Sequence, residues 1–240
     1  CIRDSIMYVM VILPTILWLG AKAVNNLTGL ELIPAMILLG GLSLAYSLYG
    51  GLKAVALTDV IQVVLLIFGG LFVTYKGLDL LSEGNGLFEG FMILQSEFPE
   101  KFDAILSYAP KEVDPEAYAN YIKLPGIWVL IGGMWIAHFY YWGTNQYITQ
   151  RALGGKSLDE AQNGLMFAGF LKIFMPIVVV LPGLIAVALE ANGTINLAGD
   201  RSNAYPSMLN LLPEGIKGLT FAALVAAIVS SLASLSNSVS

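Results

Sequence analysis

The sequence predicts an all-α fold, a polytopic bundle of membrane-spanning helices, and three observations predict it. Of 240 residues, 57% are hydrophobic and only 12% are charged. That is about half the charged share of a soluble domain, too little to keep a globular surface solvated. Six separate stretches are apolar enough to cross a bilayer as helices, which takes about 20 residues because lipid offers an unpaired backbone no partner. The alternation of a membrane strand is missing, which sets aside a β-barrel. The same composition excludes other classes. One Cys and one His leave no disulfide framework and no Cys/His zinc site within the chain. With 12 Lys and Arg against 17 Asp and Glu, a nucleic-acid partner has no electrostatic footprint.

The elements follow in order along what reads as a single, partial transmembrane domain. The first span is expected over residues 6–24 and the second over 31–50. Gly50-Gly51-Leu52-Lys53 then reads as a tight turn into a third span over 57–76. Residues 77–123 form a long loop, acidic at Glu97, Glu100, Asp103, Glu112, Asp114 and Glu116 and punctuated by Pro99, Pro110 and Pro115. The fourth span covers 124–149, and a short loop with Arg151 and Lys156 leads to the fifth over 164–189. A polar loop containing Asn203-Ala204-Tyr205-Pro206 precedes the sixth span, 215–240. The chain opens at Cys1 rather than Met and stops within an apolar run, so it reads as the middle of a longer protein. No signal peptide is visible. If the six spans alternate, Arg3, Lys53, Arg151 and Lys156 share one side. The positive-inside rule puts that side in the cytoplasm and the 77–123 loop outside the cell.

Several residues are costly at their positions. Lys172 stands inside the fifth span, in Phe170-Leu171-Lys172-Ile173-Phe174. A charge at the bilayer centre costs about 2.5–3.5 kcal/mol on insertion scales. It is either functional or near enough to the edge to snorkel. The fourth span carries His138, then Tyr140-Tyr141-Trp142-Gly143-Thr144-Asn145-Gln146. Tyr and Trp favour interfaces, but the polar run after them makes poor lipid-facing helix. It predicts a broken helix lining a watery cavity. His138 reads equally as a buried, hydrogen-bonded imidazole or a solute contact. On the sixth span, Ala227, Ser230, Ser231, Ser234 and Ser238 recur at three- and four-residue spacing and share a face. Such a face serves close helix packing. Alternatively, the Ala227 carbonyl and the Ser230 and Ser231 hydroxyls offer hard oxygens to a small cation. Thr58-Asp59 reads as an N-cap opening the third span.

Three segments together resemble the solute:sodium symporter family, and within it the bacterial sodium/galactose and sodium/glucose cotransporters. They are Tyr46-Ser47-Leu48-Tyr49-Gly50-Gly51-Leu52-Lys53-Ala54 running into Thr58-Asp59-Val60-Ile61-Gln62, then Tyr140 to Arg151, then Phe221 to Ser234. The resemblance covers nearly the whole chain. It implies a leucine-transporter-type fold of ten core helices in two inverted five-helix repeats, with this fragment as about core helices three to eight. It further implies that Ala227, Ser230 and Ser231 are the eighth-helix half of a sodium site and that Asp59 lies on the sodium path. Lys172 matches a lysine that hydrogen-bonds the sugar. Tyr141, with Trp142 beside it, matches the aromatic closing the sugar site on the cytoplasmic side.

Two positions depart from the galactose transporter. His138 stands where that protein has a sugar-binding Asn, and Ile12 where it has another polar contact. The implied function is sodium-coupled symport of a small polar solute, a monosaccharide first, with a polyol or sugar acid as the alternative. From another class, a membrane sensor that binds solute without moving it also fits. No nucleophile–base pair points to an enzyme. The implied partners are sodium, the solute and the lipid bilayer, in a multi-pass protein of the cell membrane, expected to be a bacterial inner membrane.

Overall fold

The computed structural model describes residues 2–103, 105–106, 108–123 and 126–239, with side chains at all of these except 2–4 and 50–55. The expected limits at Leu124 and Ser240 lie outside the described residues, as do the side chains of Arg3 and Lys53. Among the described residues every regular element is a helix. Helix α1 (Ile2–Met7) passes through a π turn (Tyr8–Ile12) into α2 (Leu13–Thr28), closed by Gly29 at φ 73°. Next come α3 (Leu32–Leu81), α4 (Leu87–Glu97) and α5 (Pro115–Lys123). Two π turns, Val129–Gly133 and Tyr140–Thr144, bracket α6 (Met134–Phe139), and α7 (Gln146–Leu153) follows. The chain continues through α8 (Leu158–Ala191), α9 (Ala204–Asn210) and α10 (Glu214–Val239).

Five stretches are long and apolar enough to cross a membrane: Ser5–Thr28, Leu32–Tyr49, Ala56–Leu81, Leu158–Ala191 and Glu214–Val239. The chain is thus part of a multi-pass helical membrane protein. The segment expected as a fourth span is helical from Ile127 through both π turns to Thr144 and is broken at Asn145; it is not among these five. Residues 77–123 are more structured than a plain loop. Helix α3 runs on to Leu81, α4 buries Gly90 and Leu94, and α5 starts where the Asp114 carboxylate accepts the Glu116 and Ala117 amides at 3.1 and 2.9 Å. Pro115 opens α5 because the first helical position needs no amide hydrogen.

Helical hydrogen bonding continues through the expected turn at 50–53. Its two arms nevertheless run in opposite directions. Tyr46 and Thr58 share a hydrogen bond between their hydroxyls, although a straight helix would set residues 12 apart about 18 Å from each other. Both arms also pack on α10. Along the first arm the partners rise together: Leu39 and Ile228 close on the same face of Gly20, and Ser47 bonds Asn237 at 2.6 Å. Along the second arm they run opposed: Asp59 bonds Ser230, and Gly69 abuts Thr220. A straight 50-residue helix would also measure about 75 Å, more than twice the hydrocarbon core.

The chain forms two compact units, Cys1–Leu94 with Asn163–Ser240, and Gln95–Gln162. In the first, α10 is the pole around which the rest packs: 44% of its apolar window is buried, against 17–22% for the other spans. Ala21, Val24, Ala35 and Leu39 form a core, with Phe221, Val225 and Ile228 packed on it. The second arm of α3 meets α8 where Pro182 interrupts the helix. Proline returns no hydrogen bond to the preceding turn. The bond that Pro182 cannot make is the one to the Val178 carbonyl, and the Thr74 hydroxyl reaches the carbonyl just before it, Ile177, at 3.0 Å.

Helix α4 lies so close to α3 that a Cβ at Gly90 would stand 2.2 Å from the Leu78 carbonyl oxygen. That oxygen is backbone and cannot swing away. Gly90→Ala is expected to destabilise the full-length protein by about 1–3 kcal/mol, read as a lower Tm in detergent. An unchanged Tm would mean that the helices are not held this close.

The loop after α8 is tied to α2. Lys22 bonds the Asp200 carboxylate, Asn26 bonds the Asn203 side chain at 2.7 Å, and the Lys22 ammonium lies 5.2 Å from the Trp18 ring. The hydrogen bond from Lys22, with help from Ser202, lowers the Asp200 pKa to about 2. A carboxyl depressed on folding stabilises above its ordinary value, and that contribution disappears as pH falls through the folded value. The tie is therefore intact at neutral pH and opens on acidification toward about pH 2. Fluorescence of a variant keeping only Trp18 should stay constant down to about pH 4 and change below. A transition near neutral pH would contradict this assignment.

Candidate cation and solute sites

In the first unit the fold joins two of the sequence-selected residues. The Ser230 hydroxyl donates to the Asp59 carboxylate across 171 positions of sequence. Asp59 is half-buried and Ser230 is 2% exposed. The N-cap reading of Thr58-Asp59 is corrected, because α3 is already helical before them. The carboxylate is directed across the helix interface instead. Ser231 and Ala227 are half-buried beside Ser230, and Ser234 and Ser238 continue the buried stripe. Close packing accounts for small residues on a helix this buried. It does not call for a carboxylate facing them. The Asp59 carboxylate and the Ser230 hydroxyl bring hard oxygens together on the face that also carries Ser231, the donor type that a small hard cation takes.

Lys172 lies on α8, exposed, with Phe170 and Phe174 edge to face at 5.2 Å beside it. It stands eight residues past Gly164, about 12 Å along the axis. That is deeper than the end turns from which a lysine stem reaches the headgroups. Pro176 lies four residues on, inside the helix, and supplies no amide hydrogen to the Lys172 carbonyl. This level of α8 thus combines a lysine ammonium with a proline one turn on.

In the second unit His138 is on α6, and Tyr141 and Trp142 are on the π turn after it. All three are exposed. The Tyr141 and Trp142 rings meet edge to face at 5.3 Å. The break expected here is present. Asn145 leaves the helical region at φ −71°, ψ 114°, and its side chain accepts the Tyr147 amide at 3.0 Å, which starts α7. The Arg151 guanidinium lies 5.0 Å from the Tyr147 ring. π turns often occur at functional sites because the extra residue displaces side chains from the regular face. Ile12 ends another such turn, 37% exposed.

Sequence reasoning missed the partners Tyr46–Thr58 and Ser47–Asn237. The available signal was a group of hydroxyls and amides inside apolar runs, but nothing in the spacing said which would meet.

A model of the sodium:solute symporter family matches residues 2–240. The chain is 43% identical to a sodium/glucose cotransporter of Vibrio parahaemolyticus over 97% of this chain and 44% of that protein. It is 34% identical to the uncharacterized symporter YidK of Escherichia coli, over 95% of this chain and 38% of the relative. With human sodium/myo-inositol cotransporter 2 it shares 32% identity, over 93% and 35%. The chain therefore spans less than half the length of these curated relatives.

Proposed function

The chain belongs to the sodium:solute symporter family, and from that premise we propose that the full-length protein is a sodium-coupled secondary active symporter of a small polyhydroxylated solute, a monosaccharide first. The observation carrying this reading is the Asp59–Ser230 bond, which puts a carboxylate beside the serine face of α10. Sodium is taken up there as co-substrate by Ala227, Ser230 and Ser231 together with oxygens from helices outside this chain, and Asp59 lies on its path. Its binding favours the outward-facing state. Solute then binds, with Lys172 the contact proposed in the first unit, and both are released inside. Coupling is the difference in affinity between the two states. No bond is made or broken. The setting is a bacterial inner membrane, with Arg151 and Lys156 inside and residues 77–123 outside.

A polyol is the second reading, since one relative is named a sodium/myo-inositol cotransporter. A competition panel separates the two. Sodium-driven uptake of a labelled hexose by the full-length protein should be inhibited by unlabelled hexoses, with inositol weaker and sugar acids inactive. Stronger inhibition by inositol would reassign the solute, with His138 the first residue to vary. Inhibition by sugar acids alone would point to Lys172 as the counter-charge of a carboxylate.

A further inference from the structure

We infer that the reversal of α3 is a positioning clamp for the cation site, and that Tyr46, Ser47, Thr58 and Asn237 set the sodium affinity without touching the ion. The inference rests on the assignment of sodium to the α10 serines. Near its reversal α3 carries two cross-links. The Tyr46 and Thr58 hydroxyls join its own arms. Ser47 donates to the Asn237 carbonyl oxygen at 2.6 Å, joining the first arm to α10. Thr58 is the residue before Asp59, and Asp59 accepts from Ser230, seven positions before Asn237. The three segments therefore close a ring: first arm to second arm through Tyr46–Thr58, second arm to α10 through Asp59–Ser230, and α10 back to the first arm through Ser47–Asn237.

The ring matters because Asp59 sits on an arm that the chain could otherwise slide or tilt. Gly50 and Gly51 lower the helix propensity of its connection to the first arm. Two cross-links, one along each side of the triangle that Asp59–Ser230 completes, fix where the carboxylate stands relative to Ser230 and Ser231. In the low dielectric between helices a displacement of an ångström changes what a cation gains from a carboxylate. Ser230, Ser234 and Ser238 are all buried on this face of α10, so a shift of the arm is transmitted to the cation ligands rather than absorbed by solvent. This gives the Tyr46-Ser47 segment a role of its own: it keeps the acidic residue in register with the serines.

The test uses the full-length protein with Tyr46→Phe, Ser47→Ala and the conservative Ser47→Thr. Two quantities are measured: the sodium concentration for half-maximal solute uptake, and the sodium concentration for half-maximal thermal stabilisation in detergent with potassium balancing ionic strength. The second needs binding alone, so it remains readable in a variant that does not transport. Tyr46→Phe and Ser47→Ala are each expected to raise both values roughly fivefold, about the net worth of one hydrogen bond, with solute KM at saturating sodium unchanged. Ser47→Thr, which retains the hydroxyl, should return both toward wild type. Wild-type sodium values in both variants, whatever their expression level, would overturn the clamp. So would a rise in solute KM with no sodium shift. If the wild-type protein itself shows neither sodium-driven uptake nor sodium stabilisation, the underlying cation-site reading fails and the clamp with it.

Discussion

Replacing Lys172 with alanine in the full-length protein is expected to raise the solute concentration for half-maximal uptake by about ten- to a hundredfold. Hydrogen bonds to a charged group contribute about 1.5–3 kcal/mol, and about 1.4 kcal/mol is a factor of ten in affinity. Lys172 is exposed on α8 among Phe170, Ile173 and Phe174, where a charge is costly unless it is used. The sodium dependence at saturating solute should stay near wild type. Lys172→Arg keeps the charge but replaces a compact ammonium with a planar fork, so partial recovery is expected at most. A snorkelling lysine behaves differently. Its removal would ease insertion and leave half-saturation unchanged, and that outcome would remove Lys172 from the solute site.

Ser231→Ala is expected to raise the sodium requirement by about tenfold, on the scale of a lost contact to a charged group, with a much smaller effect on solute KM at saturating sodium. Ser231 is half-buried on α10 beside Ser230, and its hydroxyl would be one oxygen among several around the ion. Ser230→Ala should do at least as much, because it also takes a hydrogen-bond donor from Asp59. Ser231→Thr keeps the hydroxyl and should retain most of the sodium response. Unchanged sodium activation in Ser231→Ala would mean that the stripe serves packing alone.

Much of the fold could be read from the sequence because the bilayer imposes a length and a polarity on whatever crosses it. The stretches ending at Thr28 and Ala191 stop where Gly29 and the polar run after Ala191 interrupt the hydropathy. The break at Asn145 was readable for a related reason: Gly143 to Gln146 cannot face lipid as regular helix. The π turns were not readable, since one inserted residue leaves hydropathy unchanged. Nor were α4 and α5, whose short amphipathic patterns are diluted by the acidic residues and prolines around them. The pairing of Asp59 with Ser230 was the largest gap. Each residue had a local explanation, as a cap and as part of a packing stripe, and only the reversal of α3 brings them together.

Sodium coupling itself is tested most directly by solute accumulation in proteoliposomes holding the full-length protein, with an inward sodium gradient and, in parallel, an equal potassium gradient. The account predicts that a labelled hexose rises above its external concentration only with sodium and drains when the gradient is collapsed by an ionophore. Equal uptake with either cation, or solute binding that never exceeds equilibrium, would contradict symport and favour a membrane protein that senses its solute without moving it.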